Sequence, residues 1–497
     1  MWFVKDYIYI LFLSKTLTIY LIIMTKKLNF SKIMLSALAM GLVFTSCQKE
    51  EVVNEEETAN IQLEDAPFTN YMVITETNGV NESAESPSVI NGEVISSIPE
   101  LGIALVSSKD LDFAKNTMKS KEVVAVIPDY EIAWIPSAQN QEVTSMEVSS
   151  EALTPSPGST ETSYIRLWGM EAIEAPEAWN AGFTGKGARV FILDSGIDRD
   201  NVEFSQNLNK DLSASFVPGE PYWTSPGRFA NHGTHVAGTI AANKNDFGVI
   251  GVAYEAEIAA VKVLKEVDGT GSMSSIYYGI IHAGQNGADV INMSLGTTFN
   301  KNGGYVIDAN GKKLNIPAND IQALINILQQ AIDFAHGQGS TIIASAGNDP
   351  INFDGNRSYL KFPAGFNNVI SISATAPEGW HPYSNPYTNF DVPTHYTTYG
   401  RSLIDFAAPG GDWDVSSLDM IWSVASGENA FNYNAGTSMA APHASGVAAL
   451  IIAKNGGSMD PFEVEKQMIK TADHVAGNGQ TLYFGTGRVN AYRAVTE

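Results

Sequence analysis

Asn434-Ala435-Gly436-Thr437-Ser438-Met439-Ala440-Ala441-Pro442-His443 sets one serine among small residues, directly ahead of the apolar run 447–453. That run reads as a buried helix. A serine at its start would meet free backbone N–H groups and the positive end of the helix dipole. Gly436 and Ala440 leave room for another backbone to approach. Read alone, the serine is a helix cap, because Ser and Thr are preferred there. A chemical role needs three companions: a base, a group that orients the base, and a donor for developing negative charge.

From Tyr164 onward, apolar runs alternate with segments of helical spacing. Runs 188–193, 258–264, 289–293, 341–345 and 369–373 are nearly continuous in apolar residues, as expected of strands covered on both faces. Helical spacing falls at 235–243, 274–284, 321–336, 437–454 and 461–471. The alternation predicts an α/β fold, a mostly parallel sheet with helices on both faces. Functional residues then belong at the C-terminal ends of the strands.

Those ends carry the companions. The first strand runs into Asp194-Ser195-Gly196, which alone would be turn chemistry. Asn231-His232-Gly233-Thr234-His235 opens a helix of small residues. Ser345-Ala346-Gly347-Asn348 ends another strand on an amide side chain. Zinc is the rival use of His232 and His235. Their spacing is wrong for it, no glutamate follows in the metalloprotease manner, and no other His or Cys cluster completes a site.

Together the four segments resemble the subtilisin-like serine proteases, in the order Asp, His, Ser, over about residues 164–497. Trp168-Gly169 and Ala175-Pro176-Glu177-Ala178-Trp179 are similar to that family's domain entry. The resemblance implies a serine endopeptidase working through an acyl-enzyme. Ser438 would be the nucleophile, His232 the base and Asp194 its orienter. His235 would be the second, non-catalytic histidine. Asn348 would donate to the oxyanion together with the Ser438 N–H. Polypeptide substrate would add as a strand along Gly269-Thr270-Gly271 and Ser294-Leu295-Gly296. Thr297 stands where many relatives have glycine, and the insert 298–318 either lies over the cleft or turns away as a surface loop. The chemistry needs no cofactor. Residues 241–253, with Asn245, Gly248 and Gly251, resemble the family's calcium loop, and Glu203 falls where a relative supplies a carboxylate. A structural calcium is implied.

Ahead of the large domain, 66–136 offers strands at 71–74, 102–106, 123–127 and 131–135, with helical spacing at 110–119. This predicts a small α+β domain of the ferredoxin-like kind. Beside a subtilisin-like domain it resembles the inhibitory propeptide, which covers the cleft and is cut away by the enzyme's own serine. Residues 137–163, rich in Ser, Thr, Pro and Glu, read as the linker where such a cut would fall.

The 497 residues carry a formal charge of -24, from Asp+Glu 54 against Lys+Arg 30, which argues against a nucleic-acid partner. The single cysteine, Cys47, excludes a disulfide framework within the chain. Lys26-Lys27, the apolar run 33–44 and Thr45-Ser46-Cys47 form a charged, an apolar and a small-residue segment. They resemble a bacterial lipoprotein signal over 24–47, with Cys47 as the lipid-bearing residue; an ordinary signal peptide is the alternative. Gln48-Lys49-Glu50-Glu51 resembles a surface-sorting pattern of Bacteroidetes-type lipoproteins, and 48–65 reads as an acidic tether. Residues 1–23 read as a doubtful upstream extension before Met24. The expectation is an exported protein at the outer membrane or cell surface, anchored by lipid and released by processing if the propeptide leaves with the anchor. A binding module on an inactive scaffold is the competing class. It is disfavoured because all four chemical positions are filled.

Overall fold

A computed structural model describes residues 68–76, 92–135, 157–224, 231–307, 313–386 and 388–497, all within the unit Ala66–Glu497. The expectations for 1–65, including Cys47, for Pro136 and for 137–156 of the linker lie outside the described residues.

The central sheet follows from its apolar runs. In Arg189–Asp194, Val190 and Ile192 join one core cluster, while Phe191 and Leu193 join another. The neighbouring Glu257–Lys262 repeats the split, with Ile258 and Ala260 on one side and Ala259 and Val261 on the other. Side chains alternate across a strand, so each run supplies both cores at once. The sheet order is Val392–Pro393, Val369–Ala376, Thr341–Ser345, Val290–Met293, Arg189–Asp194, Glu257–Lys262, Ala214–Ser215, with Phe406–Pro409 also paired to Val369–Ala376. Every pairing is parallel except that of Val392–Pro393.

Helices His232–Ala241 and Thr437–Lys454 cover one face, and Met273–Gln285 and Ala318–Gly337 the other. The α/β expectation holds. The helix of Ser438 is apolar all round and buried from Thr437 to Ile452, which makes it a core element rather than an amphipathic one. Short pieces escaped the sequence reading. These are strand Phe406–Pro409 and the hairpin of Ile421–Val424 with Phe431–Asn434.

The preceding segment forms a four-stranded antiparallel sheet in the order Glu93–Ile98, Ile103–Ser107, Asn70–Thr75, Val123–Pro128, with helix Phe113–Thr117 against it. The expected last strand does not join this sheet. Glu131–Ala133 pairs antiparallel with Thr270–Ser272 of the large domain instead. Its approach is fixed at two helix starts. Asp129 accepts from the Ser274 N–H (2.9 Å) and hydroxyl (2.6 Å), and the Tyr130 hydroxyl donates to Asp320 (3.1 Å). A carboxylate is favoured at a helix N-terminus, and the Asp129 site is such a place.

Nor does the packed body begin at Tyr164. Glu161 accepts from the N–H groups of Asn245, Asp246 and Phe247, and the Thr162 hydroxyl from that of Gly248. The last residues of the expected linker are held because the loop's backbone donors need a partner.

Candidate active site

Asp194 ends its strand fully buried, and His232 opens its helix. Gly233 brings the two together. A Cβ there would collide with the Gly196 carbonyl and lie 3.1 Å from the Asp194 Cβ, so only glycine lets this helix start so near the strand end. His232 Nδ1 stands 2.9 Å from both Asp194 oxygens. A carboxylate accepts, so Nδ1 carries the proton and Nε2 is left as the basic nitrogen. Among the described residues Nε2 has no hydrogen-bond partner, although it is buried.

Two other buried histidines lie nearby and are unsuited to be the base. His235 Nε2 donates to the Ile421 carbonyl (3.1 Å), and burial pushes its pKa down to about 3. His443 Nδ1 donates to the Met439 carbonyl (2.8 Å), and burial lowers it to about 4. Each of the His232 and His235 rings commits one nitrogen to its own partner, and among the described residues neither histidine belongs to a group of three possible metal ligands.

Ser438 lies in the first turn of its helix. Pro442, four residues on, has no N–H to give to the Ser438 carbonyl. Ser294 replaces it, its hydroxyl donating to that carbonyl at 2.8 Å, while the Ser438 hydroxyl donates to the Ser294 carbonyl at 3.1 Å. Asn348 Oδ1 accepts from Thr437 N–H (2.9 Å) and hydroxyl (2.8 Å). Two donors at that atom fix it as the oxygen and turn the amide NH₂ the other way. Thr437 Oγ1 also accepts from the Gly347 N–H at 3.0 Å. Strand end and helix start are therefore locked to each other.

The two expected substrate edges hold a segment of the chain itself. Glu131–Ala133 lies along Thr270–Ser272; Trp134 N–H donates to the Gly269 carbonyl (3.2 Å) and its indole N–H to that of Gly271 (2.9 Å). From the other side the Gly296 N–H donates to the Trp134 carbonyl at 3.2 Å. Leu295 and Gly296 also border a cavity of about 660 Å³, which Ser438, Asn348 and Trp134 line as well. The insert does not turn away. Its strand Thr297–Asn300 pairs with Tyr359–Phe362, and Thr298, Asn300, Gly304 and Tyr305 line the cavity.

Behind the site, the loop at 243–251 surrounds Glu203. This carboxyl is fully buried, neither oxygen has a hydrogen-bond partner among the described residues, and burial with neighbouring Glu161 pushes its pKa up to about 9. Gly248, at φ +59°, leaves space that a Cβ would fill against the Glu203 oxygen. A buried carboxylate with both oxygens orphaned, beside the second carboxylate of Glu161, fits a hard divalent cation.

Sequence reasoning missed Ser294 as a partner of Ser438, Thr437 as the clamp on Asn348, and Trp134 in the cleft. Only the Ser-Leu-Gly pattern hinted at the first.

A carboxylate, an imidazole and a serine thus stand at element ends around a largely parallel sheet of an α/β protein. The profile of the Subtilase family (Peptidase_S8) matches residues 185–487. Over 327 residues, 66% of this chain, there is 36% identity to Subtilisin BL of Lederbergia lenta, 97% of which is covered. Over the same length there is 36% identity to M-protease of Shouchella clausii (strain KSM-K16), covered to 69%. In fold, the chain is similar to the epidermin leader peptide processing serine protease from Staphylococcus aureus, with a TM-score of 0.64, 21% identity, and coverage of 86% of this chain and 98% of that one. The chain belongs to the subtilase family and is a subtilisin-like serine endopeptidase.

Proposed function

We propose that this protein hydrolyses peptide bonds with Ser438 as nucleophile, His232 as base and Asp194 as orienter, and that it is made as a self-processing precursor. The observation that carries the reading is the His232 ring, bonded through Nδ1 to both Asp194 oxygens and free at Nε2. Rotation of the Ser438 hydroxyl away from the Ser294 carbonyl would present its proton to that nitrogen. Attack on a substrate carbonyl then forms the tetrahedral intermediate and an imidazolium that Asp194 stabilises. His232 returns the proton to the leaving amine, and water repeats the cycle on the acyl-enzyme. The Asn348 amide NH₂ and the Ser438 N–H receive the oxyanion.

Residues 66–136 act as the inhibitory propeptide in this reading, supported by the way 131–134 lies along both substrate edges. A structural calcium, held by Glu203 and the 243–251 loop, would neutralise charge and tie down the loop without entering the chemistry. Cys47 would carry the lipid that holds the exported protein at the outer membrane or cell surface.

A fluorophosphonate probe tests the core of the proposal. It should label the wild-type protein covalently at Ser438 and fail to label Ser438→Ala. Equal labelling of the two proteins would remove Ser438 from the mechanism.

A further inference from the structure

The cavity beside Ser438 has two charged side chains on its wall, Lys361 and Asp349. They are not equivalent. Lys361, on strand Tyr359–Phe362, is 3% exposed, whereas the Asp349 side chain is 60% exposed. The ammonium lies directly against Gly347, where a Cβ would collide with both Lys361 Cε and Nζ. It therefore sits behind the turn that carries Asn348. Its bonds are long, 3.2 Å to Asp349 Oδ2 and 3.3 Å to the Thr298 hydroxyl. An ammonium has three donors, so one is left without a partner among the described residues.

A nearly buried cation is poorly solvated, and its main counter-charge is a hydrated, exposed carboxylate that compensates little. Burial accordingly holds the Lys361 pKa below the ordinary lysine value. An anionic group entering from the cleft would complete the ammonium's hydrogen bonds and supply a second, dehydrated counter-charge. A cationic group would meet an Asp349 already bonded to Lys361 and otherwise in water. The walls fit a side chain with a polar end and an apolar stem, with Tyr305 and Tyr359 at the rim and Asn300 and Asn356 among the lining residues. The same cavity is lined by Ser438 and Asn348. The side chain that enters it thus belongs to the residue whose carbonyl is attacked.

We propose that Lys361 makes this cavity a receptor for an acidic side chain, so that the enzyme cuts after glutamate in preference to its neutral isostere glutamine. The proposal rests on the reading of Ser438 as nucleophile. It assigns to the insert and to strand Tyr359–Phe362 the choice of substrate, leaving the chemistry to the Asp, His and Ser positions.

The test uses the full, self-processed enzyme and fluorogenic peptides that differ only in the residue before the scissile bond: Glu, Gln, Leu or Lys. The wild type should prefer Glu over Gln by about 10- to 100-fold in kcat/KM, the value of one charged hydrogen bond. Lys361→Met should bring that ratio to about 1, Lys361→Arg should retain it, and Asp349→Asn should increase it by releasing the ammonium. Equal cleavage of Glu and Gln peptides by the wild type overturns the proposal, as does better cleavage of the Lys peptide. A ratio preserved in Lys361→Met overturns it too. If no peptide is cut and the fluorophosphonate does not label Ser438, the protease reading itself has failed.

Discussion

Pro442 shows how one residue couples folding to chemistry. By withholding an N–H from the Ser438 carbonyl it creates a need that Ser294 fills, and Ser294 thereby holds the nucleophile's backbone and hydroxyl together. Asn348 is held in the same manner, from Thr437. With its oxygen so occupied, the amide NH₂ has one role left to it. Asn348→Ala should lower kcat by about 10²- to 10³-fold, typical of losing one oxyanion donor, with KM little changed. Steady-state kinetics on one peptide decides this, and near-normal kcat would remove Asn348 from the mechanism. Asp194, His232, Asn348 and Ser438 were legible because each sits in its own local signature of small residues at an element end. Lys361 was not. In Ser-Tyr-Leu-Lys-Phe it reads as an ordinary solvated lysine, and the partner that shows otherwise, Thr298, is 63 positions away.

At the scale of elements, the loop 243–251 and the insert behave differently from ordinary connections. The loop's N–H groups donate to Glu161, and the loop closes over Glu203, whose oxygens have no hydrogen-bond partner within bonding distance among the described residues. The sign of its effect is fixed. The folded pKa of about 9 lies above the ordinary 4.5, so the stability that Glu203 contributes is full below about pH 4.5. It is lost as pH rises toward 9. In chelator, the Tm should therefore fall across that window by about 5 °C or more. Added calcium should raise the Tm most at the alkaline end, and Glu203→Gln in chelator should flatten the profile. Calorimetry from pH 5 to 9 reads all three, and a profile indifferent to both chelator and substitution would dismiss the cation. The sequence suggested this loop through its glycines and asparagine. It did not show that Glu161, placed in the linker, belongs to it. The insert's direction was likewise undecided until its pairing with Tyr359–Phe362 set it at the cavity. The identity of a distant pairing partner leaves no trace in either strand's own pattern.

Across the whole molecule, the α/β core was readable from its apolar runs because a strand buried on both faces has no alternation to misread. The central strands of the small sheet were readable from their apolar runs, but the destination of the segment's last strand was not. Glu131–Ala133 has the composition of a strand whether it completes its own sheet or another. Expressed as the full chain, the wild type should be cut between Pro136 and Tyr164 and Ser438→Ala should stay whole. Mass spectrometry of both reads the outcome, and identical fragments would assign the cut to another protease. The occupied cleft also has a kinetic consequence. While the chain is continuous, residues 131–134 meet their edges at an effective concentration set by the connecting segment rather than by the concentration of the protein. That occupancy is the same in a crowded or a dilute medium. A single break in the connection makes the contact bimolecular, and its lifetime then depends on how far the two pieces can diffuse apart. On the propeptide reading proposed above, activation is then a matter of dilution, and the volume around the protein sets when the cleft opens.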